Sequence, residues 1–66
     1  MMVVALEFDD EKTLEAAVRR LRQGLGVTGE LAIKPLENGR WRLTVHSEKT
    51  LRESSLERLG GRRVDL

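Results

Sequence analysis

The sequence predicts one small α+β domain over residues 1–66, a β-α-β-β-α-β sandwich with an antiparallel sheet and both helices on one face. Three observations carry this. MVVALEF alternates with period two, DDEKTLEAAVRRLRQGLG repeats its apolar residues with helical period, and two alternating runs flank the turn residues LENG. A second helical run and a short alternating tail then repeat the order of the first half.

The first strand presents Met2, Val4, Leu6 and Phe8 to one side and Val3, Ala5 and Glu7 to the other, and Asp9 and Asp10 end it. In the helix that follows, Leu14, Ala17, Val18, Leu21 and Leu25 share a face. Acids fill its first turn, arginines its last, and Gly24 or Gly26 supplies the left-handed stop.

The hairpin from Glu30 to His46 poses a register problem. A two-residue Asn38–Gly39 turn would put Leu31 and Ile33 on the opposite face from Leu43 and Val45 and split the core. A three-residue loop of Glu37, Asn38 and Gly39, with the glycine left-handed, pairs Ile33 with Leu43, Leu31 with Val45 and Pro35 with Trp41. A bulge at Lys34 and Pro35 also restores the phase; the loop is the preferred repair. Proline in this strand implies an edge. Ser47, or a Thr50–Glu53 capping box, can start a second helix with Leu51, Ser55, Leu56 and Leu59 on one face. Gly60 and Gly61 end it, and RRVDL reads as a last strand with Val64 and Leu66 inward.

Right-handed crossovers favour the ferredoxin-like arrangement of these elements, with sheet order 4-1-3-2. In fold it resembles amino-acid-sensing ACT modules, heavy-metal-associated domains and RNA recognition motifs. The residues depart from each family's functional pattern. FDDEKT stands where metal-associated domains carry Cys-x-x-Cys and where ACT modules usually have a glycine. Recognition motifs stack bases on aromatics of the open face, whereas Phe8 and Trp41, the chain's two aromatics, phase inward. The resemblance implies the fold and carries over none of the activities.

A chain of 66 residues buries only about 60% of the surface its unfolded form exposes, so its core is small. With no cysteine, disulfides, thiolate metal sites and cysteine nucleophiles are excluded. Packing or a second copy of the chain is the remaining source of stability, and a homodimer is expected. A cytoplasmic, membrane-free location is expected too, since MVVALEF gives way at once to DDEK. No cofactor is implied. Nine arginines among twelve basic residues hint at a thermophilic source.

Net charge is only +1, but residues 1–33 carry four basic and six acidic side chains and residues 34–66 eight and five. The excess cations point to one surface. The helix-free sheet face is expected to display Val3, Ala5 and Glu7 from the first strand and Arg40, Arg42, Thr44 and His46 from the third. Glu30, Ala32 and Lys34 come from the second, and Arg63, with Asp65, from the fourth. The face can be simply solvated, can mate with a partner over Val3 and Ala5, or can contact nucleic-acid phosphates through Lys34, Arg40, Arg42, His46 and Arg63.

A second candidate is the edge where the first and third strands, read as running in the same direction, both end. Asp9, Asp10, His46, Ser47 and Glu48 gather there, and two carboxylates with a histidine suit a divalent metal or acid–base hydrolysis. The same residues are also what helix capping asks for. The expectation is a non-enzymatic binding or regulatory module acting through the open face. The alternatives are a weak nucleic-acid binder and a metal-dependent hydrolase.

Overall fold

The computed structural model describes residues 1–65, so the inward placement expected for Leu66 lies outside the described residues. Four strands form one antiparallel sheet in the order β2-β3-β1-β4: β1 (Met2–Phe8), β2 (Leu31–Pro35), β3 (Trp41–Ser47) and β4 (Arg62–Val64). Two helices, α1 (Glu11–Arg19) and α2 (Glu53–Glu57), complete it. Val4, Leu6 and Phe8 from β1 and Leu43 and Val45 from β3 pack in one cluster with Leu14, Ala17 and Leu21 and with Leu51, Leu56 and Leu59. Trp41 is partly buried against it, as its phase requires.

α1 starts on Asp10, whose carboxylate accepts from the Thr13 amide and hydroxyl, both at 2.8 Å. Its last turn widens into a π-helical segment, Arg20–Gly24, closed by Leu25 N–H donating to Arg20 O at 2.9 Å. Gly26, at φ 69°, then takes the left-handed conformation that ends the run. Arg22 is not a free helix-end cation. Its Nη1 donates to the carbonyls of Val27 and Gly29, at 2.9 and 2.8 Å, and fastens the connection to β2.

The hairpin adopts the register that keeps one core: Leu31 opposite Val45, Ile33 opposite Leu43, Lys34 opposite Arg42, Pro35 opposite Trp41. Asn38 and Gly39 are both left-handed, at φ 62° and 74°, and Arg40 N–H donates to Glu37 O, the pattern of a type I′ turn. Leu36 N–H donates to Arg40 O, so Leu36 and Glu37 together face Arg40, and this extra residue restores the phase. His46 N–H donates to Glu30 O, so the even-numbered residues of β2 turn their polar groups toward β3 and the odd-numbered ones outward. Pro35 therefore lacks a donor only on the outer edge of the sheet.

The second helix is shorter than its sequence pattern. Ser47 is buried and its hydroxyl closes a turn with the Lys49 backbone, and α2 starts at Arg52 with no side-chain cap, so neither expected cap operates. Leu51 enters the core ahead of the helix.

β4 has the opposite phase to that expected. Gly61 lies against the Phe8 ring, where an added Cβ would come within 2.7 Å of ring carbons. That contact places Gly61 on the helix side and fixes the alternation: Arg62 pairs with Glu7, Arg63 with Leu6 and Val64 with Ala5. Val64 therefore lies on the open face and Arg63 on the helix side, where it ion-pairs with Glu53 of α2. Asp65 follows the strand and is exposed.

Candidate functional site

The pairing lays out the helix-free face as three rungs across the strands. The first holds Lys34, Arg42, Glu7 and Arg62, the second Ala32, Thr44, Ala5 and Val64, and the third Glu30, His46 and Val3. Of the expected face residues, Arg40 precedes β3 and joins the first rung through its ion pair with Glu7, while Arg63 and Asp65 are not among the rungs: Arg62 takes the place of Arg63, and Asp65 follows β4. Sequence alternation alone could not choose between two adjacent arginines; the glycine beneath Phe8 was the available signal.

Glu7 organises the first rung. Its side chain is only 11% exposed and lies 2.9 Å from Arg42 Nη2, 3.4 Å from Arg40 Nη1 and 3.8 Å from Arg62 Nη2. The Arg42 hydrogen bond and the charges of Arg40, Arg42 and Arg62 hold its carboxyl below the ordinary glutamate range, against the opposing pull of desolvation. Glu7 is thus ionised at neutral pH, and the four cations Lys34, Arg40, Arg42 and Arg62 outnumber it by three. Arg42 Nε is buried with no hydrogen-bond partner among the described residues. A hollow of about 490 Å³ opens beside these groups, lined by Glu7, Lys34, Pro35, Leu36, Glu37, Arg40 and Arg42.

The middle rung is small and flat. Ala5 is 1% exposed, already covered by its neighbours within one chain, so the apolar strip is narrower than Val3 and Ala5 suggest in sequence. Val64, half-buried, widens it on the β4 side.

The proposed edge site is not assembled. β1 and β3 run antiparallel, so Asp9 and Asp10 follow Phe8 at the Trp41 end, while His46 lies opposite Val3 at the other. Six residues of strand separate the two ends, about 20 Å. Asp10 is occupied as a helix cap, and its carboxyl is lowered by the Thr13 amide and hydroxyl. Glu48 accepts from the Thr28 hydroxyl, which lowers it likewise. His46 shares a hollow of about 420 Å³ with Met1, Gly29, Glu30, Ser47 and Glu48. Among the described residues no three His, Cys, Asp or Glu side chains are close enough together to hold a metal ion.

No helix among the described residues is long and apolar enough to cross a membrane. No family model matches the chain, and comparison with curated proteins and with solved structures returns no significant match.

Proposed function

We propose that this chain is a non-enzymatic, cytoplasmic binding module of the ferredoxin-like class that pairs with a second copy through its helix-free face. The observation that carries this is the face itself: a flat band of Ala32, Thr44, Ala5 and Val64, flanked by charged side chains and covered by neither helix. The element and strand orders support the ferredoxin-like assignment. The small core supplies the motive, since the folded chain still exposes 4471 Å².

Sedimentation velocity from micromolar to millimolar protein tests it. A dimer should appear with rising concentration, and Thr44→Arg, at the centre of the face, should abolish it while leaving the circular dichroism spectrum unchanged. A monomer throughout overturns the reading.

The first rung favours a second reading. Lys34, Arg40, Arg42 and Arg62 form a cationic row suited to phosphates, with no aromatic side chain beside it for base stacking. Under that reading, labelled single-stranded or duplex nucleic acid binds at low salt, loses affinity steeply as salt rises, and is released by Lys34→Glu.

A further inference from the structure

Resting on the self-association proposed above, the charge layout of the face also fixes how two copies meet. We infer that the two-fold axis runs across the strands, so that the cationic rung of each copy lies over the Glu30–His46 rung of its partner.

Two sheets stacked face to face can be related by a two-fold axis between them that runs either along the strands or across them. An axis along the strands sets like rung against like rung. Lys34 then faces the partner's Arg62, and two rungs that each carry three cations against the single carboxylate of Glu7 lie about 10 Å apart, about one Debye length at 0.1 M salt. An axis across the strands keeps β2 over β2 but reverses its direction. Lys34 then faces the partner's Glu30, and the partner's Lys34 faces Glu30 in return. The middle rung lies over its own copy, with small side chains that allow close approach. The roughly 30° angle between packed sheets shifts these edge positions by about 5 Å, a distance the lysine and glutamate side chains can span.

Both charged partners are free to serve. Lys34 and Glu30 are exposed, and neither has an ion pair among the described residues. Four strands by three rungs give a footprint of about 400 Å², and side-chain relief raises it to roughly 600 Å² per copy. That is the low end of specific interfaces, so the dimer is weak and its charge pairs decide its geometry.

The test uses Lys34→Glu, Glu30→Lys and the chain carrying both, followed by sedimentation velocity, with thermal melts to show each is folded. Each single change should weaken dimerisation tenfold or more, and the double change should restore it, because the exchanged charges again face each other. Tighter association by Lys34→Glu alone would overturn the proposal in favour of the axis along the strands, where residue 34 meets the partner's Arg62. A dimer indifferent to both single changes would overturn it as well. A wild-type chain that stays monomeric defeats the self-association reading itself, an outcome distinct from either.

Discussion

At the scale of single residues, Glu7 and Gly61 decide what the open face contains. Gly61 is held to glycine by the Phe8 ring 2.7 Å from where its Cβ would be. Gly61→Ala must push that ring into a packed core, and a loss of about 1–3 kcal/mol is expected in urea unfolding. Glu7 makes a different prediction, in pH. Its folded-state carboxyl is held low by the Arg42 hydrogen bond and the surrounding arginines, so the unfolded chain takes up a proton at Glu7 more readily than the folded one. Its contribution to stability is therefore complete above the ordinary glutamate range and lost as the pH falls through the lowered folded value. The urea midpoint of the wild type should drop across that acid window. Glu7→Gln should be less stable at neutral pH, with its arginines uncompensated, and should drop less steeply; parallel curves for the two proteins would refute the role given to Glu7.

At the scale of elements, most of the architecture was legible because burial on one side of a strand or helix leaves a period in the sequence. The first strand, the first helix and the hairpin register follow from Val4, Leu6, Leu14, Leu21, Leu43 and Val45 needing one core. What was not legible was set by contacts that leave no period. β4 spans three residues, too few for alternation to fix a phase, and a glycine beneath an aromatic ring chose it. The second helix is shorter than its apolar stripe implies because Leu51 fits that stripe yet enters the core ahead of the helix. The edge site failed on strand direction: in an antiparallel sheet of order 4-1-3-2 the neighbouring first and third strands run oppositely, so the expected topology itself already parts Asp9 and Asp10 from His46. In the sequence Arg22 is one of the arginines of the last helical turn, and its acceptors, being backbone carbonyls, leave no mark there. Its removal makes the case testable: Arg22→Ala should cost about 1–2 kcal/mol, less than a buried charged hydrogen bond because the side chain is exposed. It should also speed hydrogen exchange at the Val27 amide, which bonds to Leu21 O across the same loop. Unchanged exchange there would show that the loop holds itself.

At the scale of the whole molecule, the balance turns on how little a chain of this size can bury. A core drawn from two strands and two short helices leaves β2 with Ile33 49% exposed and the helix-free face open. Stability is then expected to depend on whatever binds the native state, since a partner that recognises only the folded form adds to it by mass action. If that partner is a second copy held by facing charges, two dependences must appear together. The melting temperature should rise with protein concentration, because the dimer exists only among folded chains. That rise should shrink as salt increases, because salt screens the Lys34–Glu30 pairs that set the alignment. A nucleic-acid phosphate on the cationic rung would separate these effects. It would raise the melting temperature at low salt at any protein concentration, growing with the logarithm of added oligonucleotide, and the effect would vanish in Lys34→Glu without any change in sedimentation. Calorimetry across a hundredfold range of protein concentration at two salt levels distinguishes the two, and a melting temperature fixed under every condition leaves the open face facing water.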